Sequence, residues 1–316
     1  LDLALLNNRF SLTADYYYKR TNDLLNSTPV PLSTGYISMS RNVGSVENKG
    51  LDVAATAGIF QGPLKWDLGL NLTVNRNKVL KLAGGADIFG ETIGLPISLP
   101  VNLVREGYPI GVFYGYVEDG LTAAGAIKYV DQDGNNVINT LDRTIIGDPN
   151  PDYILGLNTS LSYKDFSLSA VLNVVQGNDI FNFNASNLAD GFSFGINQIR
   201  DVLGNYWTAE NPNPNAKYPK VSKNTRYLVS DRFIEDGSYV RLRNLQLSYS
   251  LRKLKLGDYQ LENSQVYVAA QNLLTWTKYS FYSPEVNTIG AGISKGVDQF
   301  GYPDARTFLI GVRLQF

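Results

Sequence analysis

The sequence contains no cysteine, no histidine and a single methionine. Without cysteine there is no disulfide framework and no thiolate chemistry. Without histidine there is no imidazole base, no Ser–His relay and no His-ligated metal. Charge is scarce as well: charged residues make up 18% of 316, with a net charge of −1. Nothing here resembles the basic patches by which proteins hold nucleic acid, so no nucleic-acid partner is expected. No run approaches the roughly 20 apolar residues of a membrane helix. A leader segment is also missing, because Leu1 opens inside what reads as strand. The expectation is a mature or partial chain.

What is present is alternation. Over 64–75, Leu64, Trp66, Leu68, Leu70, Leu72 and Val74 take one face, and Lys65, Asp67, Gly69, Asn71, Thr73 and Asn75 take the other. The same period of two runs through 9–20, 45–59, 153–163, 166–176, 238–251, 264–273 and 307–316, with a partial strand at 1–6. Each such run is a strand with one apolar and one polar face. In 238–251 the apolar phase shifts near Asn244, which predicts a β-bulge. Most runs reach the roughly 9–11 residues that cross a bilayer when tilted.

The connections alternate too. Tight turns at Asn7-Asn8, Gln61-Gly62-Pro63 and Lys164-Asp165, with a modest one at 252–263, interleave with long segments at 21–44, 78–152, 177–237 and 274–304. Short periplasmic turns and long external loops are the pattern of outer-membrane barrels. The parity holds when 111–118 is counted inside the second loop. Aromatics gather near strand ends (Tyr16, Tyr17, Tyr18, Trp66, Tyr163, Phe166, Tyr249, Trp276, Phe316), as interfacial girdles do. The fold class is therefore all-β: a transmembrane antiparallel β-barrel against outer-membrane lipid. Nine antiparallel strands leave the first and last parallel, so 1–316 is expected to be an open part of one larger barrel domain.

Six segments resemble the SusC/RagA family of TonB-dependent outer-membrane receptors, Bacteroidetes-type nutrient transporters. They are Arg41-Asn42-Val43-Gly44 through Glu47-Asn48-Lys49-Gly50-Leu51-Asp52, Arg105-Glu106-Gly107-Tyr108-Pro109-Ile110-Gly111-Val112-Phe113-Tyr114-Gly115-Tyr116, and Ile146-Gly147-Asp148-Pro149-Asn150-Pro151-Asp152-Tyr153. Asp236-Gly237-Ser238-Tyr239-Val240-Arg241-Leu242-Arg243-Asn244, Ala270-Gln271-Asn272-Leu273-Leu274-Thr275-Trp276-Thr277 and the terminal Phe316 complete the set. The resemblance implies the C-terminal portion of a 22-stranded barrel, without the plug and TonB box. It also implies import of glycans or peptides under a SusD-like lipoprotein lid, driven through TonB, with no enzymatic activity. The final aromatic resembles the signal read by barrel-assembly machinery. The alternative is a SusC-like scaffold or accessory subunit, or a client of assembly or secretion machinery, without transport; a calcium-stabilised β-sandwich adhesin is a third reading.

The sharpest local motif lies in the 78–152 loop, at 131–142. Asp131, Asp133, Asn135, Val137 (through its carbonyl), Asn139 and Asp142 occupy the ligand positions of an EF-hand-type Ca²⁺ loop. Asn136 stands where glycine is usual and Asp142 where glutamate is usual; an ion-free Asx-rich turn is the competing reading. An ion there would staple a loop. Tyr114 and Tyr116, and Tyr206 with Trp207 ahead of Asn211-Pro212-Asn213-Pro214-Asn215, are candidates for contact with ligand or lid, or else loop anchors. Glu235 and Asp236 are adjacent carboxylates, but a catalytic pair needs a defined gap across a sugar.

Overall fold

The computed structural model describes the chain except 30–37, 43, 96, 190–196, 223–226, 252–254, 257–258, 261–263, 287, 290–291 and 316. Nine wall strands follow in chain order: β1 (Asp2–Leu5), β2 (Phe10–Thr21), β3 (Gly44–Gln61), β4 (Leu64–Leu82), β5 (Tyr153–Tyr163), β6 (Phe166–Gln176), β7 (Tyr239–Ser250), β8 (Gln265–Thr277) and β9 (Thr307–Arg313). Each pairs with its chain neighbour in one open antiparallel sheet, with β1 and β9 at the edges.

Register turns the sequence alternation into continuous rungs. Ala14, Val53, Leu72, Leu155, Val174, Val240 and Trp276 lie side by side on one face. At the turn end of the same face, Leu64, Tyr163, Phe166, Tyr249, Val266 and Val312 form another rung. Every residue of the turn-end rung is exposed, up to Val312 at 60%, and the loop-end rung is half-buried apart from exposed Trp276; Phe308 and Ile310 on β9 continue the uncovered face at 70% and 86%. A face of that size open to water is untenable for a soluble protein, whereas lipid covers it. Thr159, a hydroxyl on this face, accepts a hydrogen bond from Trp66 Nε1 at 2.8 Å, so both polar groups are satisfied without water.

The opposite face is polar, with amides and hydroxyls set among charged Asp15, Asp52, Lys65 and Asp67. Tyr17 reaches across Gly50 to donate to Asn75 Oδ1 at 2.9 Å, and Asn77 Nδ2 donates to Asn48 Oδ1 at 2.9 Å. A Cβ on Gly50 would stand 2.1 Å from the Val74 carbonyl oxygen, so only glycine lets these strands close under the Tyr17 ring. Tyr17 therefore faces the lumen and leaves the girdle: it is one residue out of phase with Tyr16 and Tyr18, and in a strand one residue reverses the face. Phe316 lies outside the described residues. The expected bulge is present, because the ladder of β7 skips Arg243 between Leu242 and Asn244 against both neighbours.

The buried core lies in the loops. Ile93, Ile97, Val101, Phe113, Phe181, Phe183, Tyr227, Val229, Phe233 and Val297 form one cluster drawn from the segments 83–152, 177–238 and 278–306. A four-stranded sheet in the first of these contains Val112–Gly115, so 111–118 does belong to the loop. That loop begins at 83 rather than 78, because β4 continues to Leu82. Asp179–Asn182 pairs antiparallel with Ile234–Asp236 and parallel with Val297–Asp298, tying the loops together.

Candidate functional site

At the loop end, a cavity of about 600 Å³ opens among Asn182, Leu188, Ile199, Tyr218, Phe233 and Phe281, with Asp201, Lys217, Arg232 and Glu235 on its walls. The short helix Phe183–Leu188 supplies one side, and the Asn182 side chain caps it by accepting from the Ala185 N–H. Glu235 is fixed from two directions: Asn182 Nδ2 and Ser280 Oγ donate to Oε1 at 2.8 Å, and Ser280 N donates to Oε2 at 2.8 Å. Lys217 pairs with Asp201, which also accepts from the Tyr218 hydroxyl at 2.8 Å. The Lys217 ammonium and then this hydroxyl hold the Asp201 carboxyl below its ordinary range. Arg232 pairs with Glu118 and donates to the Lys217 carbonyl at 2.7 Å. The cavity thus combines aromatic walls with fixed charges, which suits capture of a polar solute with apolar parts.

Asp236 accepts from Ser238 N at 2.9 Å and pairs with Lys278, whereas Glu235 faces the cavity. Neighbours on a strand point apart, and these two hold separate partners.

The last loop is pinned to the lumenal wall by Arg241. Its guanidinium is 2% exposed and donates to Glu285 Oε2 at 2.9 Å, Asp304 Oδ2 at 2.7 Å and Ser283 Oγ at 3.1 Å. Tyr239 and Arg243 also donate to Glu285.

The four candidate aromatics do not form one surface. Tyr114 is 9% exposed and packs between two guanidiniums, Arg143 at 4.5 Å and Arg105 at 4.8 Å from its ring centre. Tyr116 is buried against Tyr129, and Trp207 is buried on Gly125, where a Cβ would meet the indole at 2.4 Å. Tyr206 is half-buried beside Tyr218. Of the two readings for Tyr114, Tyr116 and Trp207, burial favours loop anchors over contact with ligand or lid. Apart from Glu235, the cavity residues went unmarked in the sequence because they come from five separated stretches and share no motif.

In the 131–142 loop, carboxylate oxygens of Asp131, Asp133 and Asp142 lie within 4.8 Å of one another. Asn136 adopts φ 63°, the left-handed turn that glycine usually provides at this position. Asp131 accepts from Gly134 N at 2.8 Å and Asn136 N at 2.6 Å; chiefly the Asn136 amide holds its carboxyl below the ordinary value. Asp142 is fully buried and accepts from Gln132 N at 2.8 Å and Asn139 N at 2.7 Å. Asn135 Oδ1 and Asn139 Oδ1 accept from Val137 N and Leu141 N, and the Val137 carbonyl accepts from Asn139 Nδ2. The three carboxylates therefore converge, while the Asn135, Val137 and Asn139 oxygens serve hydrogen bonds within the loop. The next residue, Arg143, donates to the Tyr114 carbonyl at 2.8 Å and carries the loop's position into the loop core.

Comparison with known proteins follows this geometry. Residues 1–188 match the family model described as TonB dependent receptor-like, beta-barrel. A TonB-dependent receptor of Formosa agariphila is 34% identical over the whole chain, which covers 33% of that protein. The TonB-dependent receptor SusC of Bacteroides thetaiotaomicron is 32% identical, with 31% of its length covered. Among solved structures, the RagAB peptide transporter superposes with a TM-score of 0.84 at 27% identity, over 99% of this chain and 34% of that one. The chain thus spans about a third of the length of the relatives it matches.

Proposed function

The chain belongs to the TonB-dependent receptor β-barrel family, whose members are outer-membrane receptors and transporters, and we propose that it forms wall and mouth of an importer of oligosaccharides or peptides. In this reading the nine strands are a C-terminal part of a larger barrel. The external loops meet the solute and a SusD-like lipoprotein lid, and energy arrives through TonB outside this segment. The observation that carries the reading is the loop cavity of about 600 Å³, lined by residues of the external loops above a polar, hydrogen-bonding lumen face. The likeness to SusC and to the RagAB peptide transporter supports the substrate classes. Among the described residues, the cavity's carboxylates are held by amides, hydroxyls and cations, which suits binding rather than acid–base work.

The test is isolation of the native complex together with uptake of labelled oligosaccharides and peptides. Recovery with a surface lipoprotein, and uptake lost on deletion, are expected. Recovery with insertion or secretion machinery and unchanged uptake would favour the scaffold or client reading.

The 131–142 loop is proposed to hold one structural Ca²⁺, with Asp131, Asp133, Asn135, the Val137 carbonyl, Asn139 and Asp142 as its donors. Calorimetric titration of wild type and Asp133→Ala tests this; equal heats in the two would end the idea.

A further inference from the structure

The outward face of the wall changes character at one level, and in one sector. Along β4 it runs Leu64, Trp66, Leu68, Leu70, Leu72 and Val74, then turns to Arg76 and Lys78 without any break in the ladder. The neighbours change at the same height. Tyr16, Leu51 and Val74 make the last apolar rung. The next outward rung is Tyr18, Lys49 and Arg76, and the one above it is Arg20, Glu47 and Lys78. Arg20, Lys49, Arg76 and Lys78 are all exposed. Four cations and one carboxylate thus form a two-rung block directly above the apolar band. Lys49 lies 3.6 Å from Glu47, and Arg76 pairs with Asp152 at 2.7 Å, which leaves Arg20 and Lys78 without a carboxylate of their own among the described residues.

We propose that this block binds the phosphate groups of lipids in the outer leaflet of the outer membrane. The argument rests on position and sign. The run from Leu64 to Val74 is 11 residues, the length that spans hydrocarbon when tilted. The cations therefore sit at headgroup depth, where long basic side chains keep their stems on apolar surface and their charge in the polar layer. Tyr18 and Tyr16, 58% and 73% exposed, flank the block at the interface as amphipathic rings do. At the loop end of the β6–β7–β8 sector, by contrast, the outward face ends on Val240 and Trp276 with Lys278 beside Asp236. A general snorkelling fringe would place cations in both sectors; here they concentrate where β3 and β4 rise above the membrane.

The test uses the complete receptor extracted in mild detergent and exchanged into nanodiscs. The probes are bisphosphorylated lipid A and its dephosphorylated counterpart, with retention read by native mass spectrometry. Each cation lost at a charged membrane surface weakens attraction about fivefold. The triple variant Lys49→Gln, Arg76→Gln, Lys78→Gln should hold the phosphorylated lipid on the order of a hundredfold more weakly, with the dephosphorylated lipid unaffected. Glu47→Gln removes the block's own carboxylate and should tighten the phosphorylated lipid about fivefold. This second variant keeps the question open to refutation if the triple one assembles poorly. Equal retention of both lipids by wild type and Glu47→Gln would overturn the proposal.

Discussion

Replacing Arg241 by leucine should release the last external loop while leaving the wall intact. The guanidinium is 2% exposed and holds Glu285, Asp304 and Ser283 at once, from the lumenal face of β7. Removing one partner of a buried ion pair typically costs about 3–5 kcal/mol, because the other partner stays behind without its counter-charge. Here the abandoned carboxylates are 25% and 40% exposed, so water relieves part of that loss. Glu285 also keeps Tyr239 and Arg243 as donors, and Asp304 keeps Ser283. The low end applies, at about 3 kcal/mol. Opening of 278–306 should then rise on the order of a hundredfold, read as faster amide exchange in that segment. Protection in β4, β5 and β6 should not change. Unchanged exchange in 278–306, or equal loss of protection across the wall, would refute the assignment of Arg241 as the pin.

Gly50→Ala should reduce the folded, heat-resistant fraction on gels, since overpacking of about 3 kcal/mol arises where the new Cβ meets the Val74 carbonyl. Ile199→Trp, which fills the loop cavity, should cut uptake about tenfold (roughly 1.4 kcal/mol) with unaltered barrel assembly. The Asp131 carboxyl is held below its ordinary 3.8, chiefly by the Asn136 amide. Its contribution to loop order is complete above that value and is lost as pH falls through the lower value of the folded loop. Amide protection across 131–142, normalised for the intrinsic pH dependence of exchange, should therefore fall only in strong acid, and a loss of protection already near neutrality would contradict the assignment.

The wall was legible because its physics is written residue by residue: a period of two sets each face, and the slip at Asn244 marked the bulge. Tyr17 was misplaced because closeness to the strand end was read without phase: it is one residue out of step with Tyr16 and Tyr18 and faces the lumen over Gly50. The end of β4 was hidden for a related reason. Its outward apolar series stops at Val74, while the backbone ladder runs on through polar 75–78 to Leu82, where Val79 and Leu82 pack with Val104 of the loop. The loops were the least legible part. Their core joins residues as distant as Ile93 and Val297, and long-range packing of that kind leaves no local period. Arg241 is one of two arginines in β7, and its three partners become visible only when the loop folds back. The calcium-type spacing was readable because its donors lie within one short segment; the left-handed Asn136 shows how the chain makes that turn without glycine.

The most direct test of the membrane-wall account exploits the absence of cysteine from this segment. Single cysteines at 64–78, spin-labelled in the assembled receptor, report contact with lipid-soluble oxygen and with a water-soluble nickel chelate. The account predicts oxygen contact at 64, 66, 68, 70, 72 and 74, little at the residues between, and a switch to the nickel chelate at 76 and 78. Uniform access along the strand, or lipid contact that persists at 76 and 78, would contradict it.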